Sequence, residues 1–541
     1  MVIFSIILMP SANAGRVLDP KTEQLGLVLT ENMELTSMTS VIYGRTTQSD
    51  LDWRICRSIT DAVCTAATEI MIIQYFVLCE RDSDINCIEE VWARDTTGKK
   101  VPGSYIRHLP VSGSADFPAE LAMNLPASKG NSFVMKIPGL THLGRTDDYL
   151  VALRNMSFIQ KKAGEASTNY KVGVQGLIGG VTPFEILNGD YRPITVGEGF
   201  SSDGGLRIAA NGDTCFASDV GVCAAVRGFP KDVRYGMSLR LTQKLNGWFH
   251  GRITSPNIET SSDGSNYRVS IEASPVRVAS LDFMVPAESV SQEAKDILFN
   301  GEEWGVTGNV QGAKITTGLD EDRAQVLMQL FTPNFGDKST RTNEYWTFKT
   351  LGDFRNDAVR RCTNSTGDLA GVVSTNALLY SAGPPSFNPD EGTLDYRVSS
   401  PHYESNGSEA VGTYDLLLRS DLARCIYGFT QAPIKATLEV IAGDGISRVA
   451  TTTINERNGW LTLSAGGFGF SSPIVRARLT QDKPEPVATP SPSPTPTVEA
   501  TSKATPTLVK ATKRTITCIR GEKKKRVQAT KPKCPKGWKK S

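Results

Sequence analysis

Apolar and polar positions alternate with a period of two along most of this chain. Tyr267-Arg268-Val269-Ser270-Ile271-Glu272, Pro275-Val276-Arg277-Val278, Ala436-Thr437-Leu438-Glu439-Val440 and Val449-Ala450-Thr451-Thr452-Thr453-Ile454 are examples. The turn signals Asn211-Gly212, Asp263-Gly264, Asn406-Gly407 and Asp444-Gly445 punctuate such runs. Many short strands at this spacing predict a mainly β fold built of β-sandwiches. One segment departs from the pattern. Glu288 to Phe299 sets Val290, Ala294, Ile297 and Leu298 at helical spacing just after Pro286. It reads as a hinge between a first β-rich domain, 15–285, and a second, 286–481.

The two halves share a weak internal repeat. Cys223 is followed by Gly228-Phe229, the strand Met237 to Leu241, Asn246-Gly247-Trp248 and Ser255-Pro256. Cys425 is followed by Gly428-Phe429, the strand Ala436 to Val440, Asn458-Gly459-Trp460 and Ser472-Pro473. The physical expectation is a hairpin turn at each Asn-Gly, where positive φ is tolerated, with the Trp opening the return strand. Trp248 and Trp460 are then a matched pair of flat apolar faces that could stack a ligand. Core packing is the competing use.

The ends differ from the body. Val2 to Met9 is an apolar run followed by Pro10-Ser11-Ala12-Asn13-Ala14, and Ala12-x-Ala14 is a small-residue cleavage signal. Residues 1–14 therefore read as a signal peptide. Its positive n-region is missing, which points to a start inside a longer reading frame. Residues 482–512 form a Pro/Thr/Ser-rich linker, in which Pro484 to Thr497 alternates proline with small residues and favours extended polyproline II. Beyond it, residues 510–541 hold 13 Lys/Arg and one acid, whereas the whole chain is only +2. The body is thus faintly acidic and the tail strongly basic. Within 513–541, Thr515 to Ile519 reads as a strand, Arg520 to Lys525 as a charged turn and Arg526 to Ala529 as the return strand.

Ten cysteines support export. They fall as Cys56/Cys64, Cys79/Cys87, Cys215/Cys223, Cys362/Cys425 and Cys518/Cys534. Nearest-neighbour disulfides are the preferred pairing, but Cys56, Cys64, Cys79 and Cys87 alone allow three connectivities. Zinc is the weaker reading: there is no C-x2-C, and the four His lie far from the cysteines in sequence. A Cys518–Cys534 bridge would staple a hairpin too small to stabilise itself by burial.

The tail also carries a resemblance. Thr515-Ile516-Thr517-Cys518, the Lys-rich stretch Lys523-Lys524-Lys525-Arg526, and Pro532-Lys533-Cys534-Pro535-Lys536-Gly537-Trp538-Lys539-Lys540 resemble a C-terminal module on secreted proteins of actinobacteria. The body, around Cys56 to Cys87, Asp415 to Phe429 and Val449 to Phe470, is more loosely similar to large secreted proteins of that group. The resemblance implies location and architecture and carries no catalytic residues.

Chemical motifs are sparse. There is no G-x-S-x-G, H-E-x-x-H, P-loop or Rossmann fingerprint. His250 and His402 read as structural residues. Glu302, Glu303, Asp320, Glu321 and Asp322 read as solvated turns rather than a paired-carboxylate site. No cofactor and no metal is expected. The cations Lys523, Lys524, Lys525, Arg526, Lys536, Lys539 and Lys540 are the one charged site, suited to an anionic envelope polymer or membrane surface. Export argues against nucleic acid. The sequence therefore predicts a secreted, cell-surface-associated binding or adhesion protein, its body engaging an envelope polymer, a glycan or a partner protein. The competing class is an extracellular polysaccharide hydrolase on the same stalk.

Overall fold

The computed structural model describes residues 24–481 and 514–540, leaving out 32–34, 48–51, 201–205, 210–214, 265, 300–306, 310–311, 317–321, 352–358, 360, 363–367, 382, 432, 442–446, 449–450, 471–473, 521–522, 530–532 and 537. The expected signal peptide and linker lie outside these residues, as do Glu302, Glu303, Asp320 and Glu321. The chain is 53% strand and 11% helix, as the period-two pattern requires. It divides into two units, Met1–Lys483 and Pro484–Ser541.

A single sheet runs through the body. Its strands follow the order Arg54–Cys56, Val41–Arg45, Glu69–Tyr75, Asp148–Gln160, Gly176–Asn188, Thr347–Leu351, Gly247–Ser262, Leu369–Thr375, Gly412–Arg419, Trp460–Phe468 and Thr451–Arg457. All these pairings are antiparallel except Gly247–Ser262 with Leu369–Thr375. A smaller sheet, including Thr393–Ser399, Ile474–Gln481 and Ile434–Ile441, packs on the C-terminal end of the large one. Leu394, Tyr396, Val475 and Leu438 share a buried core there with Leu416, Leu418, Leu461 and Leu463. The alternating pattern thus yields a mainly β body of several sheets.

The division at 286 does not survive. Gly247–Ser262 pairs with Thr347–Leu351 and Leu369–Thr375, and the 20-residue strand Tyr267–Pro286 pairs with Arg341–Tyr345. Backbone hydrogen bonds thus join the two supposed domains at the centre of the body. The helix exists, as Gln292–Phe299, but Val290 and Ala294 are buried in the same core as Leu25 and Leu281. It packs against the body and is no hinge.

The repeat also dissolves. Asn458 and Gly459 both have positive φ, and Arg457 pairs with Trp460, so this Asn-Gly is a two-residue hairpin turn. Asn246-Gly247 is not: Arg234–Leu241 pairs with Tyr267–Pro286 and Cys87–Arg94, and Gly247–Ser262 pairs with Tyr267–Pro286, Thr347–Leu351 and Leu369–Thr375 rather than with Arg234–Leu241. The cysteines differ in the same way. Cys223 bonds Cys215 across a short loop and Cys425 bonds Cys362, 63 residues away.

Two buried charges hold the central strand. The Arg252 side chain is 1% exposed and pairs with Glu31. It also donates to the carbonyls of Thr375 (3.1 Å), Ala377 and Leu378 (3.0 Å). Three residues on, the strand bulges between Thr254 and Asn257, with Ser255 at φ 50°. The Asp415 carboxylate fixes this bulge by accepting from Ser255 N (2.9 Å), Thr254 Oγ1 (3.1 Å) and Ser464 Oγ.

His250, on the same strand, is 2% exposed and lies flat on Tyr380, with ring centroids 3.8 Å apart. Burial, aided by the Arg252 and Lys349 charges, pushes its pKa well below the ordinary value. The imidazole therefore stays neutral in the fold while in the unfolded chain it protonates near ~6.5. Below that pH the unfolded state binds the extra proton, so stability falls as pH falls, by up to ~1.4 kcal/mol per unit. His250→Phe keeps the flat contact and removes the titration. Urea unfolding at pH 6.5 and pH 5 should show the wild type losing up to about 2 kcal/mol that the variant keeps.

Candidate functional site

All ten cysteines are paired, as Cys56–Cys64, Cys79–Cys87, Cys215–Cys223, Cys362–Cys425 and Cys518–Cys534. The bridges complete the nearest-neighbour set and consume the thiols a metal would need. Cys56 and Cys64 do lie close to Asp61, but their sulfurs are spent on each other, and Asp61 caps the helix Ala62–Ala66. Five disulfides suggest an extracellular protein. Among the described residues, no helix is long and apolar enough to cross a membrane.

The two tryptophans part company. Trp248 is 2% exposed. A β-carbon on Gly371 would collide with its ring, so the glycine makes room for it in the sheet. A side chain enclosed in this way has no face left for a ligand, and core packing wins at this position. Trp460 is 9% exposed and lines a cleft.

That cleft has a volume of about 490 Å³. Its walls come from segments distant in sequence. Asp368 stands just before Leu369–Thr375; Arg419, Asp421 and Arg424 lie at and within the helix Ser420–Tyr427; Glu456 and Asn458 flank the hairpin turn. Each carboxylate faces a cation. Arg419 Nε donates to Asp421 Oδ1 at 2.9 Å and its Nη2 donates to Oδ2, while Lys244 donates to Asp368 at 3.0 Å. Arg424 donates to Glu456 at 2.9 Å and to the carbonyls of Ser420 and Thr430. The Arg424 guanidinium is the main cause holding the Glu456 carboxyl below its usual range. Among the described residues Arg419 Nη1 has no hydrogen-bond acceptor, and it forms an ion pair with Asp368 Oδ2 at 3.7 Å. Only Trp460 of this set is foreseen from the sequence. The available signal for the rest was Arg419-Ser420-Asp421, a polar helix start inside a run that reads as continuous strand.

The second site is the C-terminal unit. Arg514–Arg520 is the middle strand of a three-stranded sheet, between Lys523–Ala529 and Lys539–Lys540. The expected hairpin thus gains a third strand. The expected turn shrinks too, since Arg520 pairs with Lys523 and Lys523 to Lys525 belong to a strand. The register sets Lys525 and Lys540 on either side of Cys518, and Lys524 and Lys539 on either side of Ile519. Flanking backbone positions across one strand are about 10 Å apart. Arg526, Lys536, Lys539 and Lys540 are exposed, whereas Cys518 is fully buried. The bridge to Cys534 spans 16 residues, and a closed loop of that size is worth about 3 kcal/mol by chain entropy. Few apolar groups are present to replace it.

Replacing Cys518 and Cys534 together by Ser should therefore melt this unit alone. Hydrogen exchange should show amide protection lost over 514–529 and kept in the strands of the body. The chain matches no family model, no curated protein and no solved structure.

Proposed function

We propose that this is an exported, surface-associated binding protein without enzymatic activity. Its basic C-terminal unit retains it on an anionic envelope polymer or membrane surface, and its body engages a ligand there. One observation carries the reading: the three-stranded register gathers lysines far apart in sequence into adjacent rows around Cys518 and Ile519. Lysines held on both outer strands of one small sheet repel one another, and an anionic surface relieves that repulsion. Each cation near acidic lipid adds about 1 kcal/mol, and acidic polymers act by the same physics. Two further features support the reading. The disulfides fit an oxidising exterior, and the tail resembles modules of secreted actinobacterial proteins. The carboxylates of the body's cleft are each committed to a cation, which suits binding better than proton transfer.

The test compares the full chain with a version ending at Lys483, on cell-envelope fractions and on vesicles containing anionic lipid. The full chain should be retained at 0.1 M salt and released towards 1 M, as the screening length falls from about 10 Å to about 3 Å. The shortened chain should stay in solution with the vesicles throughout and should lose the salt-sensitive part of retention on the envelope fractions. Equal retention of the two at every salt concentration would overturn the proposal.

A further inference from the structure

We infer that the cleft beneath the Asn458-Gly459 turn binds a neutral saccharide unit. The inference rests on the reading that the body engages an envelope ligand, and it names the chemistry of that ligand. Size is the first argument. About 490 Å³ falls within the range of small-ligand sites, ~300–1,000 Å³.

Charge is the second. The cleft brings together Arg419, Arg424, Asp368, Asp421 and Glu456. An anionic ligand would meet three carboxylates. A cationic one would meet two guanidinium groups already placed. An apolar one would desolvate all of them without compensation. A neutral polyol avoids each penalty. Every sugar hydroxyl both donates and accepts, so one hydroxyl can give its proton to a carboxylate oxygen while receiving a guanidinium N–H.

Preparation of the walls is the third argument. The guanidinium of Arg419 is clamped in the plane of the Asp421 carboxylate, and Arg424 is tied to Glu456 and two carbonyls. These side chains have little rotamer freedom left to lose when a ligand arrives. Trp460 adds an aromatic wall, the usual complement to the apolar face of a pyranose ring. A peptide would seek a row of free backbone groups or an apolar pocket, whereas these walls offer charged forks and side-chain amides.

The full chain is titrated with maltotetraose, cellotetraose and N-acetylchitotetraose at 1 M NaCl, where the basic unit is screened. Calorimetry and tryptophan emission are read together. At least one series should give saturable heat and a shift in emission. Trp460→Phe should abolish the emission change while saturable heat remains. Gln431 also lines the cleft, and Gln431→Ala combined with Asp421→Asn should weaken binding at least tenfold with an unchanged thermal midpoint. No saturable heat with any of the three, or undiminished affinity in the double variant, would overturn the inference. Envelope retention of the double variant is measured separately. Its persistence assigns a failed titration to the cleft alone, and its loss in the Lys483-terminated chain leaves the titration unaffected.

Discussion

The body depends on a buried guanidinium. Arg252 sits at 1% exposure on the strand Gly247–Ser262, and its partners come from both ends of the body: Glu31 near the start, and the carbonyls of Thr375, Ala377 and Leu378 beyond the middle. Burying such a pair costs several kcal/mol per ion before compensation. Here the compensation is close to complete, because a carboxylate and three carbonyls surround the fork of donors. An aliphatic residue of similar volume would leave Glu31 and three carbonyls without their donors. The same strand is bent by the bulge at Ser255, and Asp415 reaches over from Gly412–Arg419 to bind it. One strand is therefore fixed by two charges of opposite sign, each supplied with partners from sequence-distant segments.

This arrangement explains why two domains were expected and one body is found. Period-two alternation, the turns Asp263-Gly264 and Asn458-Gly459, and the cysteine spacings are local features, and each has a local physical cause. Strand partners are not local. Asn246-Gly247-Trp248 and Asn458-Gly459-Trp460 are the same tripeptide, yet only the second closes a hairpin, because the preceding strand returns to it. At the first, Gly247–Ser262 is captured by Thr347–Leu351 and Leu369–Thr375, some hundred residues later. The cleft was hidden for the same reason. Asp368, Arg419 and Glu456 are unremarkable charged residues until the sheet sets their strands side by side, whereas Trp460 was visible because a large aromatic after a tight turn is conspicuous in any sequence.

The C-terminal unit obeys a different balance. It has almost no core to bury, so the Cys518–Cys534 bridge supplies what packing does not. In return, the sheet can carry lysines on both outer strands that an unbridged segment of this size would hold apart. Here a covalent constraint sustains a charge density that non-covalent forces would disperse.

The proposed binding role of the body bears on its carboxylates. Glycoside cleavage requires one carboxylic acid that keeps its proton beside a second carboxylate that does not. Every carboxylate of the cleft faces a cation, and Arg424 holds Glu456 down. Asp415 is the one described carboxyl whose pKa is raised, and burial is the cause. It is 3% exposed and its oxygens are engaged by Thr254, Ser255 and Ser464. Among the described carboxyls, the environment that raises a pKa lies inside the sheet, while those of the cleft stand against cations, as the proposed binding of a polyol requires.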